Sequence, residues 1–351
     1  MTIPTTYMAA LLLCVLSMLC WGSWANTTKL APKWRFELYY FDYAFGVFLA
    51  ALLICFTFGT YGSEITFQDN LTIVRMRSVG YALAAGIVFN LANMLLVAAI
   101  AVAGMAVAFP VGIGLALVLG VVISYFIRPS GNPSFLFLGM GIVLGAIFLA
   151  AFAYKLLQDE RNKDLPLPPA PETKRKQPVK VSPWKGLILS VFAGLLMGSF
   201  YPLVEMTRGF EIDMGPYAIL IVFALGVLLS TFVFNIFFIS FPVQGKPVAF
   251  SAYFKGTAKQ HMLGIFGGII WCIGLAANLV ASSVPPEVHV GPAVSYGLGQ
   301  GAVLISTLWG LLVWKEFADS KDKSRLFIWL SIPVFVVGLA LISIAPLYAR
   351  N

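Results

Sequence analysis

The chain has 351 residues, of which 60% are hydrophobic and only 11% are charged. Because soluble domains carry about 25% charged residues, this composition excludes an ordinary soluble fold and predicts a protein of the lipid bilayer. The net charge of +8 does not indicate nucleic-acid binding, since the basic residues lie in loops and form no basic face. The cysteines lie within apolar stretches, at spacings typical of neither a zinc site nor a disulfide framework.

Ten apolar stretches follow one another along the chain, each about as long as a membrane-spanning helix. The first five cover residues 5–27, 36–59, 78–102, 104–127 and 134–155. The second five cover residues 184–207, 215–241, 262–283, 289–314 and 326–347. The first stretch lacks a basic segment before it and a clear cleavage site, so we interpret it as a helix rather than a signal peptide.

The segment between the two sets is rich in proline and charge, which is typical of an exposed linker. The sequence therefore predicts a first five-helix repeat at residues 1–157, a linker at 158–182 and a second repeat at 183–351. Most lysine and arginine residues lie in the linker and in the loops after the first, seventh and ninth stretches. By the positive-inside rule these loops are cytoplasmic, and both termini lie outside the plasma membrane or bacterial inner membrane.

The two sets of stretches carry similar motifs in the same order. Four pairs match: Gly22-Ser23-Trp24 with Gly198-Ser199-Phe200, Gly46-Val47 with Gly226-Val227, Ala92-Asn93 with Ala277-Asn278, and Ala106-Val107 with Ala293-Val294. Their separation rises steadily from 176 to 187 residues; the alternative is chance matching of glycine-rich apolar sequence. Because five crossings are an odd number, the second copy enters from the opposite face. The prediction is an all-α membrane protein with ten transmembrane helices in a 5+5 inverted repeat.

Further motifs extend over nearly the whole chain: Leu19–Ala25, Tyr40–Tyr43, Leu52–Gly59, Phe241–Pro247, and Ser306–Gly310 followed by Glu316. Taken in this order, these motifs resemble those of the ureide permease family of the drug/metabolite transporter superfamily. The resemblance implies a drug/metabolite transporter-like fold and proton-coupled import of small polar nitrogen compounds such as allantoin and uracil. Relatives in the superfamily carry rhamnose, glucose or ribose.

The chain departs from the ureide permease pattern in two places. Plant members have a long central region with a phosphate-binding-loop-like motif, whereas this linker is short and has no G-x-x-x-x-G-K-[ST] sequence. The family also tends to carry an acidic residue on the fourth helix near Phe109 and Pro110, and none is present there. These departures leave the coupling ion and the solute open.

Polar side chains inside a membrane are costly, so they usually face a cavity or a partner. Amides offer donors and an acceptor to a heterocycle, a ureide or a sugar, and aromatic rings can stack on a planar solute. Helix-to-helix bonding and aromatic packing are the structural alternatives for these side chains. The expected solute-binding residues are Trp21, Trp24, Asn26, Asn93, Tyr201, Trp271, Asn278, Tyr296 and Gln300.

Two acidic residues are candidates for proton coupling. Asp42 lies several residues into the second stretch, and the alternative is an interfacial carboxylate paired with Lys33 or Arg35. Glu205 lies toward the end of the sixth stretch, where Arg208 is one turn away and permits an intrahelical pair. The two histidines, His261 and His289, are interpreted as loop-flanking residues.

The leading hypothesis is a secondary active transporter that imports a small polar nitrogen compound by proton symport with alternating access. A proton-coupled sugar importer is the alternative, because the polar residues do not separate amide from hydroxyl recognition. A membrane scaffold is disfavoured by the paired polar positions, and an enzyme by the lack of a catalytic set, a metal-ligand spacing or a cofactor motif. The expected partners are the solute, protons and the lipid bilayer; a homodimer is left open.

Overall fold

The structure, a computed structural model, is all-helical in the residues that it describes. These are residues 1–31, 34–62, 65–103, 105–163, 183–209, 211–243, 246–285, 288, 290–318 and 320–348. Within them, nine helices are long and apolar enough to cross a membrane. The fourth apolar stretch also forms a helix, and its segment Val111–Ile127 is a shorter apolar helix. The prediction of an all-helical membrane protein is therefore confirmed.

We label ten helices in chain order and name the shorter ones by their residues. The first five are α1 (Tyr7–Ser23), α2 (Phe36–Thr57), α3 (Met76–Ala103), α4 (Met105–Ile127) and α5 (Pro133–Lys163). The second five are α6 (Pro183–Glu205), α7 (Pro216–Ser240), α8 (Ala258–Ala281), α9 (Pro292–Gly299) and α10 (Asp322–Ile344). Proline begins several of them, where its fixed φ suits the first turn and its missing N–H leaves no helix bond unmade. Most of the predicted linker lies outside the described residues.

Two of the helices are interrupted where they approach the centre of the bundle. After α1 the chain turns at Trp24 and resumes as the short helix Asn26–Lys29, and the Asn26 amide donates to the freed carbonyl of Ser23 at 2.8 Å. After α9 it turns at Gln300 and resumes as Ala302–Leu308, which ends in a π-helical turn, Trp309–Val313. Broken backbone at membrane depth is tolerated where it lines a cavity, so both breaks point to a site.

The helices pack in a regular scheme. Helix α6 packs on α3 and α4, while α1 packs on α8 and α9; α8 packs on α2, and α7 packs on α3. Further contacts join α2 to α7, α5 to α10 and α4 to α5. Glycine sets the closest of these approaches: a Cβ at Gly268 would meet the Tyr43 carbonyl on α2, and one at Gly86 would meet the Phe223 carbonyl on α7.

Loop contacts divide the bundle into two ends. One, which we call the basic end, is joined by Lys29 with Glu316, Arg35 with the Lys246 carbonyl, and Glu160 with Ser324. The other, the opposite end, is joined by the Met1 amino group with the Ile65 carbonyl, Asn70 with the Asp213 carbonyl, and Asn132 with the Tyr348 carbonyl. Successive helices therefore alternate in direction, as expected of a chain that crosses a bilayer repeatedly.

Substitution of Gly268 by alanine should destabilise the protein, because the new methyl group would meet the backbone of α2. The expected loss is about 1–3 kcal/mol, seen as a lower Tm in detergent. Gly141→Ala is the matched control, since a Cβ at Gly141 meets nothing within 4 Å and alanine favours a helix over glycine. Equal Tm values for the two variants would contradict the importance of this contact.

Candidate functional site

A cavity of about 350 Å³ lies among α1, α3, α4, α6, α8 and the broken α9. This volume is in the range of small-molecule sites, roughly 300–1,000 Å³. Its lining runs from Trp271, near the middle of α8, to two residues toward the basic end: Lys29, which ends the short helix after α1, and Ile100, in the last turn of α3. The cavity therefore reaches from mid-membrane depth toward the basic end.

Flat aromatic rings form much of the wall of this cavity. Trp271 is nearly parallel to Trp21, with centroids 6.0 Å apart, and to Phe89, with centroids 4.3 Å apart. Phe200 meets Phe89 edge-on at 5.4 Å. Trp24, held against Tyr43 at 4.9 Å, adds another ring at the break after α1. Such a wall suits a solute with a flat or partly apolar face.

Few polar side chains enter the cavity. Asn93 donates to the Tyr40 hydroxyl at 3.1 Å, which leaves its second N–H and its carbonyl oxygen for a ligand. Gln300, at the break after α9, and Ser306 also line the cavity. Lys29 is the one charged residue among the described lining residues.

Lys29 is itself paired. Its amine lies 2.5 Å from a Glu316 carboxylate oxygen, and the Tyr154 hydroxyl donates to the other oxygen at 3.0 Å. These three residues line a second cavity of about 130 Å³ that shares part of its wall with the first. Asn26 lines the second cavity, where its carbonyl accepts from the Trp314 indole at 2.6 Å. The large cavity is thus close to neutral.

A packed polar layer lies between the large cavity and the opposite end. The Tyr201 and Ser295 hydroxyls are 3.0 Å apart, and the Tyr201 and Tyr296 rings are 4.8 Å apart. Asn278 donates to the Ser295 carbonyl at 2.9 Å and to the Ser17 hydroxyl at 3.3 Å. Tyr201, Tyr296 and Asn278 are fully buried. Through these contacts α1, α6, α8 and α9 are held together on this side.

A buried ion pair lies beyond that layer. Arg208 is 3.3 Å from Glu205, and it also donates to the Ser282 carbonyl at 3.2 Å and to the Ser283 hydroxyl at 2.7 Å. The side chains of Glu205 and Arg208 are 0% and 5% exposed. The predicted pair is thus present, although Arg208 lies just beyond the end of α6, and it also joins the end of α6 to the end of α8.

Asp42 lies at the basic end, outside the cavity lining. Its carboxylate accepts from the Tyr253 hydroxyl at 2.6 Å and lies 2.8 Å from Nδ1 of His261. Burial raises the pKa of the Tyr253 hydroxyl above its ordinary value, so this group is a neutral donor at physiological pH. Arg35, one of the two cations considered as partners for Asp42, instead pairs with Glu37 at 2.5 Å; Lys33 lies outside the described residues.

His261 is therefore more than the loop-flanking residue that the sequence suggested. A capping box formed by Thr257 and Gln260 begins α8 and places His261 in its first turn. The chain separates His261 from Asp42 by 219 residues, so no local motif could reveal the pair. His289 lies outside the described residues.

The structure thus divides the predicted solute-binding residues into three groups. Trp21, Trp24, Asn93, Trp271 and Gln300 line the large cavity. Asn26 lines the smaller one. Tyr201, Asn278 and Tyr296 lie in the packed layer and not on either cavity.

Two family models match the chain, one over each half. Residues 39–182 match the model described as ureide permease, and residues 174–345 match the model described as sugar transport protein. Ureide permease 2 of Arabidopsis thaliana is 26% identical, over 95% of this chain and 95% of its own length. This chain is therefore similar to the ureide permeases over nearly its whole length. The resemblance predicted from the sequence is confirmed, and the chain is an integral membrane protein.

Bacterial sugar uptake proteins are relatives as well. A putative sugar uptake protein of Listeria innocua is 26% identical, over 78% of this chain and 81% of its own length. One crystal structure of a protein superposes with a TM-score of 0.56 at 16% identity, covering 95% of this chain and 97% of the other. At that identity the likeness shows a shared fold and nothing about activity.

Cysteine labelling can test the position of the cavity. In a background without the four native cysteines, Ser306→Cys should react with a small water-soluble thiol reagent, because Ser306 lines both cavities. Ser295→Cys is the matched control on the same broken helix, and it should stay unlabelled because Ser295 is fully buried. Equal labelling of the two would contradict the assigned cavity.

Proposed function

We propose that this protein is a secondary active transporter that imports a small, neutral, polar nitrogen compound, such as a ureide or a pyrimidine, by proton symport. The observation that carries the proposal is the large cavity, which is aromatic, nearly neutral and of small-molecule size. The names of the relatives, ureide permeases, point to the same class of solute.

The chemistry of the cavity favours a neutral solute with a flat face. The stacked rings of Trp271 and Trp21 present aromatic surface to the cavity, while Asn93 and Gln300 offer amide groups to hydrogen-bond N–H and C=O groups. A cationic solute would need a carboxylate, and none lies among the described lining residues. An anionic solute would have to compete with Glu316 for Lys29.

Sugar import is the second candidate. It is favoured by the match of residues 174–345 to the sugar transport family model and by the bacterial sugar uptake relatives. Amide groups can also bond sugar hydroxyls, so the same cavity could serve either class. We favour a planar nitrogen compound over a sugar because the cavity has a broad aromatic wall.

The inverted 5+5 repeat is part of the proposal, because two inverted copies can hold conformations open to opposite sides. The packing scheme supports this repeat, because its principal helix contacts have counterparts when α1–α5 are exchanged with α6–α10. The contact of α6 with α3 corresponds to that of α1 with α8, the contact of α6 with α4 to that of α1 with α9, and the contact of α8 with α2 to that of α3 with α7. Glycine contacts follow the same exchange. Gly46 meets the Ile265 carbonyl as Gly226 meets the Leu83 carbonyl, and Gly86 and Gly268 likewise meet carbonyls of equivalent helices.

The positive-inside rule supports assignment of the basic end to the cytoplasm of a plasma or bacterial inner membrane, with both termini outside. In that orientation the cavity faces inward. The layer formed by Tyr201, Asn278 and Tyr296 would then close the outer side, where these residues would bind solute only after the layer opens.

For proton coupling, Asp42 is preferred over Glu205. Arg208 is held beside Glu205 by hydrogen bonds to Ser282 and Ser283 and neutralises its charge. Asp42 has no such fixed cation among the described residues; its neighbours are the neutral donor Tyr253 and the imidazole ring of His261.

Uptake into proteoliposomes tests the proposed function. An inward proton gradient should drive accumulation of labelled allantoin or uracil, whereas labelled glucose should enter more slowly. Accumulation of glucose alone would favour the sugar importer. Entry that does not respond to the gradient would contradict proton symport.

Asp42→Asn should separate exchange from accumulation, because the amide keeps the shape of the side chain but does not take up a proton. Gradient-driven accumulation should fall by at least about fivefold, which is the factor that corresponds to a typical coupling free energy. Exchange of labelled for unlabelled solute should persist. Glu37→Gln, on the same helix end, is the control and should keep accumulation. Full accumulation by Asp42→Asn would remove Asp42 from the coupling mechanism.

The two asparagines at equivalent repeat positions should respond differently to substitution. Asn93→Ala should raise the KM of uptake roughly two- to tenfold, the worth of one hydrogen bond. Asn278→Ala should mainly lower Tm, because it removes the bonds to Ser295 and Ser17. The reverse pattern, in KM and in detergent Tm, would place the solute at Asn278 instead.

A further inference from the structure

The residues around Asp42 form a small polar cluster between α2, α8 and the 3-10 helix Phe250–Lys255. His261 and Tyr253 face Asp42 from the other two elements, and Tyr39 lies one turn before it on α2. Trp34 lies edge-on to the His261 ring at 5.5 Å. The cations of the neighbouring elements point elsewhere: Arg35 pairs with Glu37, and Lys255 and Lys259 are exposed.

We propose that Asp42 and His261 together hold the transported proton, and that the hydrogen bond between Tyr39 and Thr27 links this pair to the solute cavity. His261 is a positioning and proton-sharing residue for which the sequence showed no role. The inference rests on the proposed function, because it assumes that a proton gradient drives uptake.

The geometry of the pair suits a shared proton. His261 Nδ1 and an Asp42 carboxylate oxygen are 2.8 Å apart, and this contact is a hydrogen bond whether the proton sits on the ring or on the carboxyl group. The side chain of His261 is 24% exposed and that of Asp42 only 5%. The ring can therefore exchange protons with water at the basic end, while the carboxylate lies on the protein side. Adding one proton raises the charge of the pair by one without any other bond change.

The link to the cavity runs through the contact surface of α2 and α8. Asp42 packs on Gly264, and one turn further along α8 the Tyr39 hydroxyl packs on Gly267. That hydroxyl is 2.6 Å from the Thr27 hydroxyl. Thr27 belongs to the short helix Asn26–Lys29, whose neighbouring residues Thr28 and Lys29 line the cavity. A shift of α2 against α8 on protonation would therefore move the cavity wall.

His261→Gln is the test, because glutamine can still bond Asp42 but takes up no proton. In proteoliposomes with labelled allantoin, or with labelled uracil or glucose if the unmodified protein accumulates one of these instead, exchange should stay within about twofold. Accumulation driven by a proton gradient, and the solute-linked proton entry reported by an internal pH dye, should fall at least about fivefold.

Tyr39→Phe is the second variant and leaves the pair itself intact. It should keep exchange and lose proton-driven accumulation, whereas Tyr61→Phe, an exposed tyrosine at the opposite end, should behave as the unmodified protein. Normal accumulation by His261→Gln would overturn the proposal. Equal loss of exchange and accumulation in both variants would overturn it as well, because that result indicates that these residues only stabilise the structure. If uptake by the unmodified protein does not respond to the gradient, the proposed symport is wrong. That outcome is distinct from the two results that would overturn the roles of His261 and Tyr39.

Discussion

At the crossing of α2 and α8, Gly46 meets the Ile265 carbonyl and Gly268 meets the Tyr43 carbonyl, so the two backbones touch. Lipid is as apolar as a leucine side chain, and helices in a bilayer therefore associate through close packing of small residues rather than through the hydrophobic effect. This contact sets the position of everything that α2 carries. It brings Asp42 to His261, and it holds the aromatic residues of α2 beside Trp24 and Trp271.

The structure keeps charge away from the place where solute is expected to bind. The large cavity presents rings and amides, and Lys29, the one cation among its described lining residues, is paired with Glu316. The remaining buried ionic groups, Glu205 with Arg208 and Asp42 with His261, lie at the two ends of the bundle. An unpaired charge at membrane depth is costly. A neutral cavity avoids this cost, because release of the solute leaves no unpaired charge in the cavity wall. The proposed proton site lies apart from the cavity, and the contact surface of α2 and α8 would supply the mechanical link between them.

The two ends of the bundle are packed differently. Toward the opposite end, Tyr201, Ser295 and Asn278 join four helices by hydrogen bonds, whereas the large cavity opens toward the basic end. Asn93 and Asn278, which follow alanine in matching motifs of the two halves of the chain, show this difference directly. Asn93 faces the cavity and Asn278 binds neighbouring helices. Matching sequence motifs therefore have different surroundings in the two halves of the chain.

By itself, the sequence determined the helical membrane class, the approximate helix positions, the family resemblance and five residues of the cavity wall. Apolar length and repeated motifs are local properties, so they can be read directly from the chain. Only the tertiary structure decided which of the candidate polar residues meet. It placed Tyr201, Tyr296 and Asn278 in a packed layer, and it joined Asp42 to His261 rather than to Arg35. Those outcomes depend on how helices that are far apart in the chain cross each other. Glycine contacts between backbones set these crossings, and no local sequence pattern reveals them.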